Sequence, residues 1–127
     1  MRFTNNSLTG SGNSNLDLWI FEIGPDIEDT FVDVSKDGST WYSVGAVTGS
    51  TRGVDIDAFG FGTSDFFSYV RLTDNIALDA TSGTTVGADI DAVGAITTAP
   101  PVTTVPEPAT LLLVVFGFAA VALGRRK

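Results

Sequence analysis

One stretch, Val32-Asp-Val-Ser-Lys-Asp-Gly-Ser-Thr-Trp-Tyr-Ser-Val-Gly45, determines the expected fold class. Side chains alternate with a period of two over residues 30–35, and an aromatic and β-branched segment follows at residues 41–47. Alternation of this kind is typical of β-strands. The Asp37-Gly38 pair between the two segments supplies the positive φ that hairpin turns require. The stretch therefore predicts two antiparallel strands joined by a tight turn at residues 36–39.

Further strands are predicted on both sides of this hairpin, at residues 16–23, 66–73 and 88–96. Residues 16–23 carry large apolar side chains on both faces, which fits a strand that is covered on both sides. No amphipathic helical pattern precedes residue 105, and glycine-rich turns separate the short strands. The pattern predicts an all-β fold, specifically an antiparallel β-sandwich. The expected organisation is a domain at residues 1–97, a Pro/Thr-rich spacer at 98–104 and a C-terminal segment at 105–127.

The hairpin and the later strand Tyr69-Val-Arg-Leu-Thr-Asp74 resemble the corresponding strands of discoidin-like, galactose-binding-like jelly rolls. This resemblance spans about residues 16–96. It implies an eight-stranded jelly roll, of which this chain would hold five or six strands. It also implies a carbohydrate-binding module, because members of that family often bind sugars. A fold alone does not determine function, so an extracellular polysaccharide ligand is implied by the resemblance only.

Composition excludes several classes of function. The chain has no cysteine and no histidine, which excludes disulfides, thiol chemistry, zinc hydrolases and serine-histidine catalysis. Residues 1–104 contain fourteen acidic residues and four basic ones. Such a surface repels nucleic acid and favours divalent cations.

The C-terminal segment combines three signals in a fixed order. Pro106-Glu107-Pro108 precedes an uncharged apolar run at residues 109–124, and basic residues 125–127 end the chain. As a helix, this run would be roughly 24 Å long, slightly shorter than the ~30 Å hydrocarbon core of a bilayer. The basic end resists translocation, so the order predicts a transmembrane helix with a cytoplasmic C-terminus and the preceding domain outside the cytoplasm.

This order resembles the PEP-CTERM sorting signal of Gram-negative bacteria, with Val105, Pro106, Glu107 and Pro108 as its motif and Arg125, Arg126 and Lys127 as its basic end. The resemblance implies that an exosortase, a membrane transpeptidase-like enzyme, recognises and cleaves the tail. The protein would pass through the inner membrane and then be released or attached at the cell surface. An ordinary tail anchor is the alternative. Similar tails are sometimes labelled as ice-binding protein C-terminal domains, but the chain has no regular Thr-x-Thr array, so ice binding is not predicted.

The N-terminal residues do not match this expected export. A signal peptide begins with a basic region and an apolar region of 7–15 residues, whereas residues 1–10 are mostly polar. Residues 2–4 instead resemble the end of a strand. We therefore expect a signal peptide and one or more strands upstream of Met1.

A short sequence repeat suggests a metal site. Gly53-Val-Asp-Ile-Asp-Ala-Phe-Gly60 and Gly87-Ala-Asp-Ile-Asp-Ala-Val-Gly94 each contain an Asp-Ile-Asp triplet. In an extended chain, the two carboxylates of each triplet would share one face, roughly 7 Å apart. Calcium suits such pairs because it takes six to eight oxygen ligands, although neither copy is an EF-hand loop. Alternatively, these residues are solvated charges that discourage strand aggregation.

The second copy lies near the end of the domain, where other acidic residues can converge with it. The predicted calcium ligands are therefore Asp17, Asp74, Asp89 and Asp91. No other cofactor is predicted.

Phe59 and Phe61 lie in a glycine-rich loop and are the predicted ligand-binding aromatics. Aromatic residues in the strands are expected to form core contacts more often than sugar platforms. They are Trp19, Trp41, Tyr42, Tyr69 and Phe66. The acidic residues at 22, 26, 28 and 29 could form a glycosidase pair, but nothing marks one of them as an acid with a raised pKa.

The sequence thus predicts a non-enzymatic, secreted or surface-anchored β-sandwich that is processed by an exosortase and acts in the extracellular matrix or envelope. The alternative is a carbohydrate-binding adhesion module. Exposed aromatic residues in a groove would favour this alternative. A fully packed core with an acidic surface that lacks such a groove would favour a purely structural matrix or envelope protein.

Overall fold

The computed structural model describes residues 1–23, 29–48, 51–75 and 87–102. The strands are β1 (Ser7–Leu8), β2 (Leu18–Glu22), β3 (Asp29–Ser35), β4 (Tyr42–Thr48), β5 (Thr51–Val54), β6 (Tyr69–Asp74), β7 (Ile90–Ala95) and β8 (Thr98–Ala99). A 3-10 turn, Asp57–Phe59, follows β5. All pairings between these strands are antiparallel, so the predicted all-β, antiparallel class is confirmed.

The strands form three sheets, with the orders β5-β2-β7, β4-β3-β6 and β1-β8. Buried apolar residues from both three-stranded sheets join one hydrophobic core. The core comprises Leu8, Leu18, Ile20, Val32, Val34, Val44, Val47, Val54, Ile56, Phe67 and Val70. Strand β8 falls within residues 98–104 and pairs with β1. In the described ranges no helix has the length and apolarity needed to span a membrane, and the predicted helix at 109–124 lies outside those ranges.

Strand β2 differs from its prediction because only one of its faces is fully covered. Leu18 and Ile20 are buried in the core, whereas Phe21 on the opposite face is 40% exposed. Trp19, which is half-buried, stacks on Phe21 with ring centroids 6.2 Å apart. The large apolar side chains of the outer face therefore cover each other in part, and no second layer of the described residues covers them fully.

The β3–β4 hairpin has the predicted Asp-Gly geometry but a wider loop than predicted, because β4 begins only at Tyr42. Gly38 has a φ of +79°. The Asp37 Oδ1 atom accepts backbone hydrogen bonds from Ser39 (2.7 Å) and Thr40 (2.8 Å). The Ser35 hydroxyl accepts a hydrogen bond from the Gly38 amide at 2.8 Å. Side chains thus satisfy the loop amides, and a two-residue turn is not needed.

This loop makes stability depend on pH. The hydrogen bonds from the Thr40 and Ser39 amides lower the pKa of the Asp37 carboxyl. The contribution of the ionised Asp37 carboxylate to stability is therefore complete above the ordinary pKa of about 3.9. This contribution is lost as the pH falls through the lower pKa of the folded state. We expect Asp37→Ala to lower the Tm at pH 7, with a smaller difference from the wild type at pH 2.

Thermal melts across this pH range measure the difference directly. Asp37→Asn is the matched control, because it keeps a neutral acceptor for the loop amides and should remove mainly the pH dependence. A difference between wild type and Asp37→Ala that is constant with pH would contradict the prediction.

Candidate functional site

Asp17 is held at the start of β2 by backbone hydrogen bonds to segments on both sides. Its amide donates to the Val54 carbonyl (2.8 Å), and its carbonyl accepts from the Ile96 amide (2.7 Å). Its side chain is fully buried. The Oδ2 atom accepts a hydrogen bond from the Ile56 amide at 3.0 Å, whereas the buried Oδ1 atom has no hydrogen-bond partner among the described residues.

Asp55 and Asp57 lie where the chain turns after β5. The Asp55 Oδ1 atom accepts a hydrogen bond from the Asp57 amide at 3.0 Å, which supports the 3-10 turn at its N-terminal end. The Asp57 carboxylate accepts hydrogen bonds from the Gly12 amide (3.1 and 3.2 Å to its two oxygens) and from the Ser11 hydroxyl (3.3 Å). Both aspartates are half-buried. Their carboxylates are thus fixed by the local backbone and by the loop before β2.

The three aspartates form one acidic cluster: Asp17, Asp55 and Asp57 each offer a carboxylate oxygen, and these oxygens lie within 4.8 Å of one another. Two unit charges about 5 Å apart repel by about 3 kcal/mol at an effective dielectric constant near 20. Calcium–oxygen distances are about 2.3–2.6 Å, so two ligands of one ion can be up to about 5 Å apart. The spacing therefore fits oxygens that share one hard cation.

The predicted ligand set is brought together only in part. Asp17 belongs to the acidic cluster, but Asp74 ends β6 in the other three-stranded sheet. Asp89 and Asp91 are exposed, before and within β7. Within the described ranges, no acidic group of this kind contains Asp74, Asp89 or Asp91. Sequence reasoning singled out Asp55 and Asp57 as a carboxylate pair but did not place them with Asp17.

The two copies of the repeat explain this difference. Both flank β2, where Trp19 pairs with Gly53 of β5 and with Gly94 of β7. The beginning of the first copy pairs with β2, and the chain then turns at residues 57–59. The predicted extended conformation of Asp55 and Asp57 is therefore wrong. The second copy is extended through residues 90–95. The register explains the rest: Val54 pairs with Leu18 at the start of β2, whereas Ile90 pairs with Glu22 at its other end, so only the aspartates of the first copy meet Asp17.

The two predicted ligand-binding aromatics have different surroundings. Phe59 is 47% exposed, and its Cζ atom lies 2.9 Å from the position that a Cβ atom would take at Gly45 in β4. Phe61 is half-buried and makes edge-to-face contacts with Tyr42 (5.3 Å between centroids) and Phe67 (5.1 Å). Phe61 therefore packs against the core, while Phe59 stays accessible.

The other aromatic and acidic candidates are dispersed. The Arg71 guanidinium lies 4.4 Å from the Trp41 ring centroid, and the Arg2 guanidinium lies 5.6 Å from that of Tyr69. Phe66 is 39% exposed. Glu22 ends β2 and Asp29 begins β3, so these two carboxylates belong to different sheets. Asp26 and Glu28 lie outside the described residues.

Comparison with known families identifies the C-terminal segment. Residues 104–127 match the family model of the PEP-CTERM protein-sorting motif, a range that contains the predicted motif at 105–108 and the basic residues 125–127. No curated protein and no solved structure matches the chain at a significant level, so the discoidin-like resemblance gains no support. The predicted sorting motif is confirmed, and it indicates an exported protein that is processed by an exosortase.

Proposed function

We propose that an exosortase cleaves this chain near its C-terminus and leaves a non-enzymatic β-sandwich domain in the extracellular matrix or envelope. The match at residues 104–127 is the observation that carries this proposal. The sequence of this motif is suited to recognition, because proline disfavours a helix and favours an extended backbone, which an enzyme can bind directly. The apolar run and the basic end then retain the tail in the membrane during cleavage.

The described domain supports a structural role. Both three-stranded sheets contribute side chains to one core, which supports the proposed β-sandwich. The absence of histidine and cysteine from the sequence removes the commonest general base and the thiol nucleophile. The acidic excess keeps such a domain soluble and separate from nucleic acid.

A carbohydrate-binding adhesion module is the second candidate, and it is favoured by aromatic exposure along one strand. Tyr42 on β4 is 39% exposed, and the accessible Phe59 ring lies over Gly45 of the same strand. Aromatic faces of this kind can stack on sugar rings. Retardation of the protein in a gel that contains its host's exopolysaccharide, together with loss of that retardation in Phe59→Ala, would support this candidate over a purely structural role.

The cleavage proposal is tested by replacing Pro106, Glu107 and Pro108 together by alanine in the native host. We expect the wild-type protein to mature to a shorter form that lacks residues 125–127, because the exosortase removes the tail. The triple variant should accumulate at full length in the inner membrane. Membrane fractionation and mass spectrometry of the C-terminus measure both outcomes.

The double substitution Pro100→Ala and Pro101→Ala is the matched control, since it removes two prolines just outside the motif. This variant should mature normally. Wild-type protein that reaches the cell surface with Arg125, Arg126 and Lys127 intact would refute cleavage and leave only a membrane anchor.

A further inference from the structure

We propose that the acidic cluster of Asp17, Asp55 and Asp57 binds a calcium ion that stabilises the fold. This site lies in the β-rich domain and does not depend on the sorting tail. Failure of either proposal therefore leaves the other untouched.

The first argument is the buried and unsatisfied carboxylate of Asp17. Its side chain is fully buried, and its Oδ1 atom has no hydrogen-bond partner in the described part of the chain. Burial of an ionised carboxylate is strongly unfavourable unless an opposite charge or hydrogen bonds compensate it. The nearby carboxylates of Asp55 and Asp57 add repulsion. A bound cation would satisfy Oδ1 and would also remove the repulsion between the three carboxylates.

The second argument is that the basic side chains of the described residues contact other groups. Arg2 lies over Tyr69, Lys36 pairs with Asp65, Arg52 donates to the Thr48 carbonyl, and Arg71 pairs with Asp33. These four are all the basic side chains of residues 1–104. Within the described ranges, none of them forms an ion pair with the acidic cluster. The basic side chains of the described ranges therefore do not compensate the charge of the acidic cluster.

Calcium is the cation that these ligands suit best. All three candidate ligands are carboxylates, which are hard oxygen donors, and the spacing of their oxygens fits the calcium–oxygen distances. Magnesium demands near-ideal octahedral geometry and usually keeps several waters, with only one or two protein carboxylates. Calcium accepts irregular geometry and can complete its shell with water.

Binding would connect two segments that are distant in sequence. Asp17 precedes β2, and Asp57 follows β5 and holds the loop at Gly12 through its carboxylate. An ion that binds only the folded state multiplies the folded-to-unfolded ratio by 1 + [L]/Kd. For a Kd of about 1 mM, as in extracellular calcium modules, 10 mM calcium would raise this ratio about elevenfold.

The test uses the full chain in a non-ionic detergent after removal of metals with a chelating resin. Thermal melts are recorded in EGTA, calcium chloride, magnesium chloride and sodium chloride, with the salts at matched ionic strength. We expect calcium to raise the Tm clearly above the sodium chloride value and magnesium to raise it less. Titration calorimetry with calcium chloride should show binding to one site. An equal Tm shift in sodium chloride would reduce the effect to charge screening and overturn the proposal, and an equal shift in magnesium would overturn the calcium assignment.

Variants locate the site. Asp17→Asn keeps the size of the side chain but removes its charge, so it should be more stable than wild type in EGTA and should lose both the calcium shift and the calorimetric signal. Asp57→Asn, at a half-buried position, provides a second test of the calcium response if Asp17→Asn does not fold.

The matched control is Asp89→Asn with Asp91→Asn, in the second copy of the repeat, which should respond to calcium like wild type. A calcium response that persists in Asp17→Asn or Asp57→Asn, or that is lost in the control, would overturn the proposal.

Discussion

Replacing Phe67 by alanine should lower the free energy of unfolding by about 3–5 kcal/mol, as is typical for the loss of a buried phenylalanine. Phe67 is fully buried and is the largest of the fully buried side chains. Its ring packs edge-to-face against Phe61 with centroids 5.1 Å apart. Its backbone also exchanges two hydrogen bonds with Leu8, of 2.8 and 3.0 Å. The substitution would therefore leave a cavity where the N-terminal strand meets the core.

Phe66→Ala is the matched control, because it removes the same side chain from the neighbouring, 39% exposed position. We expect this control to change the free energy of unfolding by less than about 1 kcal/mol, since exposed substitutions usually have small effects. Chemical denaturation of both variants measures the difference. Equal destabilisation by the two substitutions would show that Phe67 does not have the core position described here.

Gly10→Ala is the second substitution expected to have a large effect. Gly10 is buried, and a Cβ atom there would lie 2.3 Å from the Phe61 carbonyl oxygen and 2.8 Å from the Asp57 Oδ2 atom. The first of these atoms belongs to the backbone and cannot move without shifting the loop. We expect a loss of about 3 kcal/mol or more, at the upper end of the usual range for overpacking. Calcium affinity should also fall, because Asp57 would be displaced.

Gly62→Ala tests whether this effect is steric. A Cβ atom at Gly62 would lie 3.5 Å from the Asp57 Oδ1 atom, which is an ordinary contact distance. This control should change stability little, because its backbone does not require a positive φ. Denaturation curves for the two variants give the comparison, and a Gly10→Ala protein as stable as wild type would contradict the close packing described for this loop.

The longer strands could be predicted because alternation is a local signal. Five predicted segments overlap β2, β3, β4, β6 and β7, with ends that differ by at most three residues. Strands β1, β5 and β8 have only two to four residues. Segments this short show no measurable alternation of side chains. Whether they form strands depends on the partner strand. The same holds for the 3-10 turn, because its place depends on where β5 ends and on the hydrogen bond from the Asp57 amide to the Asp55 side chain.

The sorting motif and the acidic cluster show two different limits of prediction. The motif could be predicted because its prolines, apolar run and basic end are consecutive in the chain. Asp17 could be named as a candidate ligand, but the two aspartates that lie near it could not be assigned to it. That assignment depends on which end of each repeat copy pairs with β2, and the two copies are nearly identical in local sequence.

The pairing of β1 with β8 determines how a mechanical load enters this domain. The described chain leaves the fold just after β8, where the Val102 amide donates to the Ser7 hydroxyl at 3.1 Å. Only two residue pairs join β8 to β1, Ser7 with Ala99 and Leu8 with Thr98. A pull on the C-terminal side is therefore transmitted first to this short ladder and, through Leu8, to Phe67 in the core. The β1–β8 pair is thus the first mechanical element between the tail and the two larger sheets.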